Sequence, residues 1–125
     1  MSVTNAGRTL AAGLLCGSGA PAAITYLAYG TGATAFGATQ TALVAESQRA
    51  AAAVSLVTTT VTNDTGQWTK TFSISGTETI KEIGAFNASS GPTMFARATS
   101  TDAAFTQKDV TTGDSFVLTY KCKAS

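Results

Sequence analysis

The residues able to carry acid–base or nucleophilic chemistry are few in this sequence, and histidine is absent from it. Without histidine the chain cannot form a Ser-His or Cys-His pair, and most zinc sites lose their usual ligand. Ser18 lies in a Gly-Ser-Gly triplet that lacks the five-residue spacing of a nucleophile elbow. Cys16 has no imidazole to activate its thiol. We therefore expect a protein that is not an enzyme.

The acidic residues do not form a recognisable site either. Glu78 and Glu82 lie four residues apart on a predicted strand, so they share a face. An acid–base pair would also need a cleft and a third group, so we interpret this pair as part of a solvated strand face. The other candidates are scattered through predicted loops and do not have EF-hand spacing: Asp102, Asp109 and Asp114. The sequence predicts no metal site and no cofactor.

Composition and charge exclude further classes of function. The chain has 125 residues, a net charge of +1 and 12% charged residues, about half the usual share of roughly 25%. Because no lysine or arginine cluster is present, direct nucleic-acid binding is not expected. Few lysines and glutamates among many Thr, Ser, Ala and Gly are typical of a subunit that buries surface against neighbours. The alternative is a small β-protein with a bland surface.

No membrane segment is predicted. Every apolar run falls short of the roughly 20 residues that span a bilayer. The run Leu10 to Cys16 is interrupted by Gly13 and preceded by a single positive charge, which does not fit a secretory signal. Cys16 and Cys122 are too far apart for a zinc motif or a disulfide framework. We expect two free, buried thiols, with a bridge from the N-terminal segment to the last strand as the alternative.

The first elements along the chain are a helix and a strand. Residues 5–17 are predicted to be helical, with Asn5 as the N-terminal cap and Gly17 as the stop. The apolar face of this helix has 3.6-residue spacing and comprises Ala6, Leu10 and Leu14, with Leu15 as a further candidate. Residues 23–29 read as a strand with apolar groups on both faces. The segment 39–49 fits either a helix or a loop that crosses the fold.

The rest of the chain predicts strands joined by turns. Residues 50–62 are read as mostly strand, with a bulge between Leu56 and Val57. The turn Asn63-Asp64-Thr65-Gly66 joins them to a strand over 67–75, the clearest hairpin of the sequence. Further strands are predicted over 78–87, 93–99 and 115–123. The residues expected in the core are Trp68, Phe72, Ile74, Phe116 and Leu118.

This succession indicates a mainly β fold, an antiparallel β-sandwich or open barrel with one short N-terminal helix. A single domain covers residues 1–125, with the helix at 5–17 and the sandwich at 23–123. Arg97 has two interpretations that stay open. It either pairs with Glu82 across a hairpin or anchors an interface, where arginine is enriched.

Four stretches in order resemble a family of small structural proteins of tailed bacteriophage virions. They are Val-Thr-Asn-Ala-Gly-Arg at 3–8, the segment from Ile-Thr-Tyr-Leu-Ala-Tyr-Gly-Thr-Gly at 24–32 to Gln-Thr-Ala-Leu at 40–43, Thr-Val-Thr-Asn-Asp-Thr at 60–65, and Glu-Ile-Gly-Ala-Phe-Asn-Ala-Ser-Ser-Gly at 82–91 with Thr-Met-Phe-Ala-Arg at 93–97 and Gly-Asp-Ser at 113–115. The match runs nearly end to end, and only the succession carries specificity. Phe95 stands where members of the family tend to have an aliphatic residue.

The resemblance implies a virion component, assembled in the host cytoplasm, that performs no catalysis. Short stand-alone chains of this kind look like capsid decoration or cement proteins that stabilise the head shell. The alternative is a tail, baseplate or tail-fibre attachment component that binds a receptor or glycan. The implied partners are the major capsid protein or other virion subunits and further copies of the chain, with neither nucleic acid nor membrane. The candidate contact residues are Tyr29, Phe36, Phe95 and Arg97.

Overall fold

Antiparallel strands are the main regular structure of the fold. The computed structural model describes residues 1–91 and 93–124. The strands are β1 (Ser2–Val3), β2 (Tyr26–Gly30), β3 (Glu46–Ala51), β4 (Ala53–Val57), β5 (Thr65–Ser73), β6 (Glu78–Ile80), β7 (Glu82–Phe86), β8 (Met94–Thr99), β9 (Lys108–Val110) and β10 (Ser115–Lys123). One helix, α1 (Asn5–Cys16), lies within the described ranges. The predicted mainly β class with a short N-terminal helix is confirmed.

These strands form two sheets and a short two-stranded ribbon. The larger sheet has the order β1-β8-β7-β2-β3, the smaller has the order β10-β5-β4, and β6 pairs with β9. All the pairs are antiparallel, and the arrangement is sandwich-like. Tyr29 of the larger sheet meets Phe72 and Phe116 of the smaller one edge-on, with ring centroids 5.0 and 5.5 Å apart. The main core therefore lies between the two sheets.

The predicted hairpin is present as β4 and β5, but its bounds differ from the prediction. Residues 58–62 belong to the connecting loop rather than to a strand, and Thr65 and Gly66 lie in β5 rather than in the turn. Asn63 adopts a left-handed φ of 59° in the turn, which asparagine tolerates better than most residues. The predicted core residues Phe72, Ile74 and Leu118 are buried, and Trp68 and Phe116 pack partly buried against the same cluster. The alternation of apolar and hydroxyl side chains therefore orients this sheet as the sequence predicted.

The N-terminal cap of helix α1 lies one residue before the predicted one. Thr4, not Asn5, caps the helix, and its hydroxyl accepts a hydrogen bond from the Gly7 N–H at 2.9 Å. The same hydroxyl donates to the Met94 carbonyl at 2.8 Å, because β1 has already placed Thr4 beside β8. Gly17 ends the helix in the left-handed conformation, as predicted. Leu14 and Leu15 are exposed rather than packed, at 40% and 90%.

Residues 39–49 do not form a helix. A loop runs to Ala45, as one of the two alternatives stated, and β3 begins at Glu46. The expected bulge between Leu56 and Val57 is wrong, since β4 pairs with β5 without a register shift. The break falls at Ala52, whose N–H donates to the Thr25 carbonyl at 2.8 Å while the chain passes from one sheet to the other. Because β4 is an exposed edge strand, apolar groups on both of its faces need no extra residue to realign them.

The predicted strand over 78–87 is divided at Lys81. Its first part is β6 and its second part is β7, which belong to different sheets. The short strands β1 and β9 have two and three residues. Runs of that length contain no periodicity, so the sequence reading did not detect them.

Candidate functional site

A buried ion pair joins two neighbouring strands of the larger sheet beneath the loop between β2 and β3. Glu82 on β7 and Arg97 on β8 are both 0% exposed, and Arg97 Nη2 lies 2.9 Å from Glu82 Oε1. Arg97 Nε donates a hydrogen bond to the same oxygen at 3.0 Å, whereas the Nη2 contact is ionic and lacks hydrogen-bond geometry. Of the two interpretations of Arg97, the pairing with Glu82 across the hairpin is confirmed. The expectation that Glu82 lies on a solvated face is wrong.

Glu82 is buried because the loop between β2 and β3 folds over it. Its Oε2 accepts hydrogen bonds from the N–H groups of Gly32 at 2.9 Å and Ala45 at 2.7 Å. Its Oε1 accepts one from the Val44 N–H at 2.9 Å. A Cβ on Gly32 would collide with the Glu82 carboxylate and with Val44, so the close approach requires glycine. One carboxylate thus ties both ends of the loop to β7.

Gln40 extends this network to the middle of the loop. Its Oε1 accepts from Arg97 Nη1 at 3.2 Å and from the Gly37 N–H at 3.0 Å. Its Nε2 donates to the Ala35 carbonyl at 3.3 Å. The guanidinium and the carboxylate are therefore enclosed by groups of this chain. What this arrangement can do is hold the loop in one conformation.

The four predicted contact residues differ in how much of their surface is exposed. Tyr29, Phe95 and Arg97 are buried at 0%, 6% and 0% exposure against this chain's own residues, so they present no surface to a partner in this conformation. Phe36 is partly exposed, and its N–H donates to Asp102 Oδ2 at 2.7 Å. Of the four residues, Phe36 is the one with surface available for contact.

Tyr29 has a polar contact as well as a core position. Its hydroxyl accepts a hydrogen bond from Gln48 Nε2 at 2.8 Å. Burial, together with the neighbouring Glu78 carboxylate, raises the pKa of Tyr29 to about 12. Tyr29 is therefore a neutral phenol at physiological pH, and it links β2 to the edge strand β3.

Arg49 is a structural residue that the sequence analysis missed. Its guanidinium carbon lies 3.5 Å from the centroid of the Phe86 ring, and its Nη2 is 2.7 Å from Glu46 Oε1. Nη1 donates to the carbonyls of Ala88 and Gly91, both at 3.2 Å. The aromatic partner is remote in sequence, so no local spacing could have revealed this cation–π contact.

Aliphatic side chains are exposed on several separate elements. The largest exposed fractions belong to Leu15 of α1 at 90%, Val61 of the turn at 67%, Leu56 of β4 at 64%, Val117 of β10 at 59%, Val54 of β4 at 55% and Val44 of the loop at 51%. Single exposed aliphatics are ordinary on protein surfaces. Here they occur on a surface with few charged groups, which suits contact with other proteins.

Two shallow depressions adjoin each other beside β9 and β10. Their volumes are about 620 and 560 Å³, and both are lined by Phe105 and Thr106. Lys81 in the first and Lys108 in the second are the charged residues that line them. Neither contains an acid–base pair. Over the described ranges, no three His, Cys, Asp or Glu side chains come together to hold a metal ion.

The two cysteines are unbridged, and their burial differs from the prediction. Cys16 is exposed and Cys122 is partly buried. The expectation that both are buried is wrong for Cys16, because it lies at the end of α1 just before the left-handed Gly17. Within residues 1–91 and 93–124 no helix is long and apolar enough to cross a membrane.

Comparisons of the chain with models of known protein families, with curated proteins and with solved structures find no match. The resemblance to virion proteins therefore stays a prediction from the sequence. The function is argued below from the residues and the geometry.

Proposed function

We propose that this protein is a non-enzymatic structural subunit of a tailed-bacteriophage virion that decorates the capsid and stabilises the head shell. The observation that supports it best is the set of aliphatic side chains exposed on separate elements of a weakly charged surface. Leu15, Leu56 and Val117 lie on α1, β4 and β10, so apolar contacts are available on more than one side of the molecule. A subunit that bridges capsomers needs contacts of this kind.

The strength of such contacts suits a repeated lattice. Full burial of a Leu or Val side chain contributes about 1.5–3 kcal/mol. These side chains already bury part of their surface, so each contact contributes less. A single contact is weak, and many equivalent copies on one shell add their binding through multivalency.

The buried network supports a passive role. Glu82, Arg97 and Gln40 use their polar atoms to hold the loop between β2 and β3, and the loop carries the exposed Val44. A loop held in one conformation loses little entropy when it meets a partner. Glu82 and Arg97 thus hold the loop rigid through their hydrogen bonds, which agrees with the absence of catalysis that we propose.

The second candidate is a tail or baseplate component that binds a receptor or glycan. The depression around Phe105 favours it, because Thr101 and Gln107 place a hydroxyl and an amide near an aromatic ring. The position of Trp68 disfavours this candidate. Its ring stacks on Tyr120 with centroids 5.2 Å apart, and its Nε1–H donates a hydrogen bond to the Ile24 carbonyl at 2.6 Å. Trp68 is therefore not free to stack on a sugar.

The copy number in purified particles separates the two candidates. A decoration protein follows the symmetry of the shell, so its molar ratio to the major shell protein should be on the order of one. Densitometry of particles before and after the tails are sheared away measures this ratio. A ratio on the order of a hundredth, or loss of the protein with the tails, would assign it to the tail.

A further inference from the structure

The edge of β4 differs from the other sheet edges of the described chain in having no protection. Edge strands are normally kept from pairing by charge, proline, bulges or shortness. β3 carries Glu46 and Arg49, β10 carries Lys121 and Lys123, and β6 and β9 also carry charges. β1 is two residues long. Residues 50–62, which include β4, contain neither a charged residue nor a proline or glycine.

The unprotected edge also exposes apolar side chains. Val54 is 55% exposed and Leu56 is 64% exposed. They pair with Trp68 and Gly66 of β5, so they lie on the sheet face that carries the core. The Trp68 ring leans towards Gly66, close to the position that a Cβ there would take. The free edge of β4 therefore combines unpaired backbone donors and acceptors with two exposed aliphatic side chains that lie beside the Trp68 ring.

We propose that β4 pairs antiparallel with β4 of a second copy of this chain, about a twofold axis at Ser55. In that register Val54 of each copy faces Leu56 of the other, and Ala53 faces Val57. Val54 and Leu56 of both copies then meet on one face. The sheet β10-β5-β4 becomes a continuous sheet of six strands. The same patch serves both copies, as a twofold interface requires.

Charge does not oppose a second copy as the occupant. On the opposite face of the sheet, the row of Ser55, Gln67 and Lys121 continues across the axis into the same row of the partner. The two Lys121 residues would be separated by five strand spacings, about 24 Å. That exceeds the Debye length of about 8 Å at physiological salt. Identical copies can therefore approach along this edge without charge repulsion.

The size of the contact sets its strength. A five-residue edge spans about 17 Å, which is short of the roughly 800 Å² per partner of a standard interface. The dimer should therefore be weak in solution, with a dissociation constant on the order of 100 µM. It should also stop at two copies, because Lys121 and Lys123 protect the far edge of the sheet at β10. The inference goes beyond the proposed function, since it holds equally for a capsid or a tail component.

Sedimentation of the isolated protein tests the pairing. Between about 1 µM and 1 mM, a range that brackets the expected constant, the mean mass should rise from 12.6 kDa towards twice that value. Leu56→Lys places a charge at an exposed position of β4 and should weaken association at least about tenfold. The matched control Val117→Lys, at 59% exposure on β10, should change it less than about twofold.

Cross-linking tests the register. In a Cys16→Ser background, Ser55→Cys brings two thiols to the axis, where opposed Cα atoms lie about 4.5–5.5 Å apart and can form a disulfide. Mild oxidation should yield a dimer whose linked peptide is 55 to 55. Thr71→Cys, on the central strand β5 and also exposed, is the control that should not cross-link. A parent that stays monomeric at 1 mM, equal association of the two lysine variants, or equal cross-linking at 55 and 71 overturns the proposal.

Discussion

Glu82→Gln is the substitution that tests the central structural argument most directly. It preserves the size and shape of the side chain and removes only the charge and one acceptor oxygen. In the parent, the two carboxylate oxygens accept hydrogen bonds from three backbone N–H groups and from Arg97 Nε. An amide has one carbonyl oxygen, and its NH2 group would face donors in either orientation. In one orientation the Val44 N–H and Arg97 Nε lose their acceptor, and in the other the Gly32 and Ala45 N–H groups lose theirs. In both orientations the guanidinium loses its anionic partner.

The expected loss of stability follows from burial. Both members of the ion pair are 0% exposed, and removing one partner of such a pair costs about 3–5 kcal/mol. An unsatisfied buried N–H costs about 1–3 kcal/mol, part of which is already included in that range. For a domain of this size, the melting temperature should fall by about 10–20 °C. The free-energy loss of about 3–5 kcal/mol is a large share of the usual total stability of about 5–15 kcal/mol.

Thermal and urea unfolding of Glu82→Gln and a matched control provide the measurement. The control is Glu78→Gln, four residues earlier and partly exposed, where Glu78 Oε2 accepts from the Ser47 hydroxyl. The control should lose less than about 1 kcal/mol. Hydrogen exchange should also show lost protection at the amides of Gly32, Val44 and Ala45. The reasoning is refuted if both variants melt together or if these amides keep their protection.

Three further predictions concern other parts of the molecule. Trp68→Ala should lower the free energy of unfolding by about 3 kcal/mol, the low end for a truncated Trp, because the ring is partly exposed. Trp68→Phe should lose less. A Trp68→Ala variant that melts like the parent but no longer joins particles would show that Trp68 is a contact residue. Thiol titration should find two free thiols per chain after denaturation, with Cys16 reacting rapidly and Cys122 slowly in the folded protein, and recovery of no thiol would contradict the unbridged state. Hydrogen bonds from the Val61 and Thr59 N–H groups hold the pKa of Asp64 well below its usual range. The ionised Asp64 therefore stabilises the folded state at pH values above its unfolded pKa of about 3.9. This contribution is lost as the pH falls from about 4 towards the lowered pKa of the folded state. The melting difference between the parent and Asp64→Asn should accordingly shrink below about pH 4, and a difference that stays constant on acidification would contradict this.

Local patterns in the sequence were sufficient for the hairpin and the last strand. The alternation from Gln67 to Ile74 identifies which side chains face the core, because a strand turns successive side chains to opposite faces. Strand β10 has the predicted bounds, Ser115–Lys123, for the same reason. Of the two interpretations that the sequence left open for Arg97, its pairing with Glu82 is correct, since hairpin geometry brings the two strands together.

Long-range contacts decided what the sequence reading got wrong. Glu82 reads as a solvated residue from its own strand, and only the loop that returns to cover it shows that it is buried. The cap of α1 moves to Thr4 because β8 supplies a second partner for that hydroxyl. Tyr29 and Phe95 are candidate contact residues from the sequence, but Tyr29 packs against Phe72 and Phe116 of the second sheet, and Phe95 belongs to the same buried cluster.

The amino-acid sequence by itself determined the class of the fold, its N-terminal helix, the β4–β5 hairpin and the low share of charged residues, because each depends on residue type and short periodicity. The tertiary structure alone decided which charged residues are buried, where the chain passes from one sheet to the other, and which sheet edge is left unprotected. These features depend on residues far apart in sequence that meet only in the folded chain, so no local pattern encodes them.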